Sequence, residues 1–402
     1  MNRVLSAVFF FLSGFFPRNR RKALFGAWLG KRFSDNPKYL LLYLARSGSD
    51  LQLVWIGEEP VRASIPASLP VRFVRRGSWR AAWEQLTAGS CFVTHGFTDL
   101  GSFNLTRGAR RVYLGHGLAI KHMGARDSVL PNRFFAGPRR LQRNVYAYDY
   151  YIASSAAHRE KLLVENATCN ISTEQVLNCG QPRIDFLMEN FAPERVTALR
   201  AKLFEALGAG SPGKVITYLP TFRDKGNSTF SFAKLEPVDR ERLDALLERW
   251  DAVILEKSHF ADTMRGGHGN AVKSERVFLL GGPLGIDTQE LLLGTDILVT
   301  DYSGCYVDFL VLRRPILHFA YDRRYYENAD RGLYFNLDEV AGGPVVSSFI
   351  ELCLRIEDFL RDPSVWRADR ERVCAQLVEW EHGDACRIIA RTVLDHDMNT
   401  AS

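Results

Sequence analysis

The sequence predicts an α/β protein of two doubly wound halves that meet near residue 210. Three observations predict this. Short apolar runs alternate with helical-period segments, the pattern of βαβ units on a parallel sheet. At 402 residues the chain has the length of two domains. Ala209-Gly210-Ser211-Pro212-Gly213, the strongest linker signal, lies near the middle, and a new strand starts directly after it.

Composition narrows the class. Hydrophobic residues are 46% and charged residues 24%, which excludes a disordered chain, a collagen and a coiled coil. The net charge of +6 is spread among mixed signs, whereas a nucleic-acid binder concentrates its basic charge on one face. The cysteines number 7, an odd count without a C-x-x-C pair. That argues against a disulfide framework or zinc ribbon and for a reducing compartment, the cytoplasm.

Val4 to Phe16 is apolar and is followed by Pro17 and by Arg18, Arg20, Arg21 and Lys22. The run is shorter than the ~20 residues of a spanning helix. No small-x-small site follows it, which argues against a signal peptide. Two readings stay open: a buried first helix with a solvated basic run, or an interfacial anchor whose arginines meet anionic headgroups. Phe9 to Phe11 cannot share one helix face, so lipid or a packed core must cover them.

Along the chain, a helix is expected from near Pro37, with Ser34 or Asp35 as its cap. Strands are expected at Gln52–Ile56, Val71–Val74, Cys91–Thr94, Val112–Leu114 and Tyr150–Ala153, with helices at Trp79–Leu86 and Ala156–Val164. A polar helix, Pro193–Leu207, leads to the linker. The second half reads as strands Val215–Leu219, Ala252–Glu256, Val277–Leu280, Ile297–Thr300 and Ile316–Phe319. Its helices are Asp239–Trp250, Thr288–Leu293, Cys305–Leu312, Ser348–Leu360 and Trp366–Leu394. Two such sheets facing each other turn their strand ends toward one cleft, where open α/β sheets bind ligands.

Five motifs fall at strand ends. His116 stands between Gly115 and Gly117 with Lys121 downstream, placed to take a proton from a hydroxyl or to serve as a turn histidine. His95-Gly96 repeats the arrangement and makes His95 a weaker rival. In Gly180-Gln181-Pro182-Arg183-Ile184-Asp185, Arg183 and Asp185 either pair in a structural turn or bind phosphate. Pro220 ends a strand, so Thr221 and Arg223 project toward a phosphate or cap the strand end, with Asp224 beside them. In Glu256-Lys257-Ser258-His259, His259 can donate to a phosphate oxygen. The strongest motif is Thr300-Asp301-Tyr302-Ser303-Gly304, a strand, a tight turn and a helix start whose free N–H groups favour an anion. Ser303 adds a hydroxyl and can also act as an N-cap. No Walker loop, G-x-G-x-x-G fingerprint or metal-ligand spacing is present.

Taken in order, these motifs resemble the CDP-glycerol glycerophosphotransferase family, the teichoic-acid primases and polymerases. The resemblance starts at Phe33-Ser34-Asp35-Asn36-Pro37-Lys38-Tyr39. It runs through His116 and Lys121, Gly180 to Asp185, Pro220 to Asp224 and Thr300 to Ser303. It ends at Arg314-Pro315, Tyr321-Asp322 and Arg331-Gly332 to Phe335. It implies a GT-B fold with a C-terminal helix crossing back to the first domain. It also implies transfer of a polyol phosphate from a CDP-activated donor such as CDP-glycerol to a hydroxyl of a lipid-linked glycan acceptor. Two departures stand out: Phe260 replaces the proline after the family's second cleft histidine, and Gly304 replaces the second serine of D-Y-S-S.

On this resemblance, residues 1–22 form a membrane-associating segment, 23–208 an acceptor domain and 209–402 a nucleotide-donor domain. His116 is the expected general base and His259 its catalytic partner. Arg223, Ser303, Gly304, Thr221 and Asp301 are the expected donor-phosphate residues, with Lys121, Arg183, Asp185 and His95 in support. No cofactor is expected, and fixed cationic groups take the place of a metal. The expected location is the cytoplasmic face of the membrane, held peripherally. The rival readings are a GT-B sugar transferase and a non-catalytic scaffold of a surface-glycan complex.

Overall fold

The computed structural model describes residues 3–122, 145–169, 171–221, 223, 229–257, 275–280, 286–330, 332–380 and 382–394. They separate into two compact units, one drawn from residues 1–116, 132–186 and 379–402, the other from 117–131 and 187–378.

The first unit carries strands β1 (Asn19–Gly26), β2 (Gln52–Gly57), β3 (Val71–Arg75), β4 (Ala88–Val93), β5 (Arg110–Tyr113), β6 (Tyr150–Ala153) and β7 (Val176–Asn178). They pair in parallel in the order β3-β2-β1-β4-β5-β6-β7. The second carries β8 (Lys214–Leu219), β9 (Ala252–Glu256), β10 (Val277–Leu279), β11 (Ile297–Thr300), β12 (Ile316–Phe319) and β13 (Val345–Val346). They too are parallel, in the order β10-β9-β8-β11-β12-β13. Both orders reverse beside the first strand, between β1 and β4 and between β8 and β11. Successive crossovers leave in opposite directions there, which opens a crevice at the carboxyl ends of the strands.

Each sheet is closed by helices. Helix α2 (Asp35–Arg46) buries Leu40, Leu41 and Leu44 against Phe25, Trp55 and Phe92. The last described helix, Ala385–Leu394, adds Cys386, Ile389, Ala390 and Val393 to that core, so the chain's end returns to the first unit. In the second unit, Leu243, Leu246 and Leu247 of helix Pro237–Arg249 pack with Ile216, Ile254 and Val299.

Three expectations change. The basic run is not a solvated tail: Asn19–Gly26 is a central strand, and a 22/23 boundary would fall inside it. Lys22 Nζ reaches Glu84 at 2.8 Å and Thr87 Oγ1 at 2.8 Å, both buried. Arg18 donates to the carbonyls of Ser13 at 2.7 Å and Gln85 at 2.5 Å. These charges are tolerated inside because the Lys22 ammonium and the terminal nitrogens of Arg18 are met by acceptors. Next, the units divide at 186/187 rather than 208/209, and Ala209–Gly213 is a loop inside the second unit. Last, the expected helix Trp366–Leu394 is two helices, Arg367–Leu377 and Ala385–Leu394, and the chain changes unit between them.

Helix α1 (Arg3–Ser13) is divided by face. Ala7 and Phe10 are buried with Val145, whereas Leu5, Val8, Phe9 and Leu12 are exposed. The spacing of the exposed set, i, i+3, i+4, i+7, is one stripe of an α-helix. Neither Ser34 nor Asp35 caps α2 through its side chain as expected. Asp35 instead sits at a φ of 66°, buried where it can reach Arg183 and Trp28. Among the described residues no helix is long and apolar enough to cross a membrane.

Candidate active site

The crevice of the first unit is lined by the residues just beyond β1, β4 and β5. Trp28 comes after β1, Thr94 and His95 after β4, and His116 after β5. Gly115 at φ 62° and Gly117 at φ 99° flank His116, left-handed conformations that suit glycine. The rings of His95 and His116 stack, with centroids 4.6 Å apart and planes 9° from parallel. Trp28 packs against both, at 4.7 Å from His95 and 5.9 Å from His116.

A buried frame holds this pair. Asn36 Nδ2 donates to the carbonyls of Leu114 at 3.0 Å and Gly115 at 3.1 Å. Arg183 donates to the His116 carbonyl at 2.7 Å and to Asp35 at 3.1 Å. The Arg183 N–H donates to Asn36 Oδ1 at 3.1 Å, and Trp28 Nε1 donates to Asp35 at 3.1 Å. The Asp35-Asn36 motif and the Gly180–Asp185 motif are thus two halves of one brace behind His116. Asp185 serves the returning helix. It accepts the N–H groups of Ala385 at 3.1 Å and Cys386 at 2.7 Å, capping the returning helix.

In the second unit the crevice lies after β8 and β11. Asp301 Oδ1 accepts the N–H groups of Thr221 at 2.8 Å and Tyr302 at 2.6 Å, tying the two strand ends together. Arg223 is fully buried. Its guanidinium lies 2.8 Å from Asp301 and donates to Asp322 at 2.7 Å and 3.0 Å and to the Thr221 carbonyl at 2.5 Å. Tyr302, Tyr321 and Tyr326 surround it, with ring centroids 5.2, 5.6 and 5.0 Å away. Burial opposes the charge, but Asp301 and the hydrogen bonds to Asp322 outweigh it and hold the guanidinium above its ordinary value. His318 donates from Nδ1 to the Asp301 carbonyl at 3.0 Å, and burial pushes its pKa down to about 4.

Ser303 and Gly304 sit half-buried at the start of helix Cys305–Phe309. Gly304 is there because backbone fills the space of a side chain. A Cβ on it would stand 2.3 Å from the Leu118 carbonyl oxygen. Leu118 comes two residues after His116. The strand-like stretch it opens is fixed in the second unit, with the Tyr334 N–H on the Ile120 carbonyl at 2.7 Å and a bridge between Lys121 and Leu333. Thr221 Oγ1 is buried with no hydrogen-bond partner among the described residues.

The structure thus brings His116, His95 and Arg183 into one cluster, and Thr221, Asp301, Ser303, Gly304 and Arg223 into another. Asp224 and His259 lie outside the described residues, as does Phe260. Arg223, expected on a phosphate, is committed to two aspartates and a carbonyl, and so frames the site. Sequence reasoning missed Asp99, Trp28 and the role of Asn36. Asp99, four residues after His95, has the spacing of a side chain that caps its own turn, and that signal was available.

Two doubly wound units whose last helix returns to the first are the architecture of the GT-B fold. A solved structure of the wall teichoic acid polymerase TagF shares this fold, with a TM-score of 0.77 at 22% identity over 97% of this chain and 92% of that one. The chain belongs to the CDP-Glycerol:Poly(glycerophosphate) glycerophosphotransferase family, which matches residues 8–395. A teichoic acid poly(glycerol phosphate) polymerase of Bacillus spizizenii is 28% identical over 375 residues, 90% of each chain. A teichoic acid glycerol-phosphate transferase of Staphylococcus aureus is 27% identical over 387 residues, 93% of each.

Proposed function

We propose that this enzyme transfers glycerol phosphate, or a closely related polyol phosphate, from a CDP-activated donor to a hydroxyl of a membrane-bound acceptor, releasing CMP. The observation that carries the reading is the braced His116 at the carboxyl end of β5. Its backbone is held on both sides by groups that make no use of its ring. Family membership supports the donor class.

In this mechanism His116 accepts the proton of the acceptor hydroxyl as that oxygen bonds to the β-phosphorus. The bond from that phosphorus to the bridging oxygen breaks, and CMP leaves with the electron pair. The Ser303 hydroxyl, the Thr221 hydroxyl and the N–H groups of Ser303 and Gly304 bind phosphate oxygens and offset the charge that develops there. Arg223 serves indirectly, by fixing Asp301 and hence the Thr221 and Tyr302 backbone. His259, the second histidine that the resemblance implies, donates to a phosphate oxygen of the donor in this reading.

The test is incubation of the full chain and a lipid-linked acceptor with CDP-glycerol, CDP-ribitol or UDP-sugars, followed by nucleotide detection. CMP from a CDP-polyol is the expected product. UDP from a UDP-sugar would transfer the assignment to the glycosyltransferase reading. No nucleotide release from any donor would favour the scaffold.

The acceptor class carries a surface requirement, and we place it on α1. Its exposed Leu5, Val8, Phe9 and Leu12 continue through Phe15 and Phe16 to Trp83 and Trp79, all of them exposed. Phe16 and Trp83 touch edge-on at 6.5 Å. Exposed Arg107 lies over the Phe11 ring at 4.5 Å and exposed Arg80 over the Trp79 ring at 5.5 Å, which sets cationic groups beside this apolar surface. Such a patch suits the interface of an anionic bilayer, where tryptophan is favoured. Replacing Leu5, Phe9 and Leu12 with serine is expected to weaken binding to anionic vesicles by about two decades, at roughly 1 kcal/mol for each half-exposed side chain. The melting temperature should hold. Unchanged co-sedimentation with vesicles would remove the patch from this role.

A further inference from the structure

We propose that His95 is a positioning residue for His116, holding its ring plane and facing it with a neutral imidazole when it takes up a proton. This rests on the reading of His116 as the general base. The assignment comes from counting protons. Asp99 is buried, and its Oδ2 accepts the N–H groups of Thr94 and His95, each at 2.8 Å, and the Thr94 hydroxyl at 3.0 Å. Its Oδ1 accepts the Leu29 N–H at 2.7 Å. The single hydroxyl proton of Thr94 is therefore spent on Asp99, while its oxygen also accepts the Trp28 N–H at 3.1 Å. The 2.8 Å contact between Thr94 Oγ1 and His95 Nδ1 can then be made only with the imidazole as donor. This places a proton on Nδ1 of His95, so that its neutral form carries the lone pair on Nε2.

The ring so fixed lies flat on His116, 4.6 Å away. A carboxylate, a hydroxyl and an imidazole in series thus back the ring that supports the base. A neutral π face attracts an imidazolium stacked on it, and two fixed faces, Trp28 and His95, limit how far His116 can swing. Among the described residues, the charged groups around the pair include Asp35 on Trp28 Nε1, Arg183 on the His116 carbonyl and Arg32 over the Trp28 ring at 5.6 Å.

The experiment uses the full chain. In protein labelled with ¹⁵N-histidine, two-bond proton–nitrogen correlations at neutral pH should give His95 the Nδ1–H pattern. Thr94→Val should lose it, and Thr94→Ser should restore it. His95→Ala should lower turnover by about tenfold to hundredfold, the cost of a misplaced reacting group, with CDP-glycerol affinity held within about twofold. The acidic limb of its pH–rate profile should move. His95→Phe, which keeps a flat ring, should regain most of the turnover, and it replaces the alanine variant if that one fails to fold. An Nε2–H pattern for His95 in the intact protein overturns the proposal, as does a folded His95→Ala enzyme with normal turnover and an unmoved acidic limb. Failure of the underlying reading shows elsewhere, as normal turnover in His116→Ala, while the His95 tautomer is read independently of activity.

Discussion

His116→Ala is expected to lower turnover by about two to four decades, the range of general acid–base catalysis, while CDP-glycerol still binds. The reason lies in how the side chain and the backbone divide the work. Asn36 and Arg183 hold the backbone at Leu114, Gly115 and His116 through carbonyls, which an alanine keeps. The Leu118 carbonyl against Gly304 is likewise untouched by the change. What disappears is the ring, and with it the group that accepts the proton. The acidic limb of the pH–rate profile should report a histidine-like group in the intact enzyme and vanish in the variant. A histidine serving only the turn predicts the reverse pattern, with lower melting temperature, weaker donor binding and preserved activity per folded molecule. Turnover, donor affinity and melting temperature measured on one preparation decide between them.

Arg223→Met is expected to reduce stability by about 3–5 kcal/mol, because removing one partner leaves buried charge without compensation. Asp301 is fully buried and Asp322 nearly so, and both face this guanidinium. Methionine fills much of the volume and supplies none of the donors. Asp301 also carries the N–H groups of Thr221 and Tyr302, so its displacement would open the two strand ends that form the phosphate site. On the proposed reading of those strand ends as the phosphate site, donor affinity should therefore fall with stability. Denaturant unfolding of the intact and substituted proteins checks the first effect, and calorimetry with CDP-glycerol checks the second. A stable Arg223→Met protein with weakened donor binding would instead place the guanidinium on the phosphate itself.

The difference between these residues marks what could be read directly. The strand-end positions of His116, Ser303 and Gly304 were legible because each comes after a short strand that ends in glycine or a tight turn, and both signals are local in the chain. Arg223 was placed at a strand end, and the two aspartates that hold it there were not foreseen. Its carboxylates lie at Asp301 and Asp322, and nothing in the Pro220–Arg223 segment announces that they are buried beside it. Lys22 and Arg18 were read as surface charge for the same reason. The glycine at 304 reads as a missing hydroxyl in the sequence, whereas in the fold the Leu118 carbonyl occupies the space.

By itself, then, the sequence determined the alternation of strands and helices, the strand ends at which the candidate site residues lie, and the family. These come from side-chain period, from glycine and proline at fixed points and from motif order, all properties of neighbouring residues. Only the tertiary structure decided that Asn19–Gly26 is a central strand, that Asp185 caps a helix 200 residues further along, and that two histidines from separate strand ends stack face to face. Burial sets the meaning of a charge. An arginine in water, one on a phosphate and one between two buried aspartates are the same letter, and the partners that distinguish them are brought together only when distant strands pair.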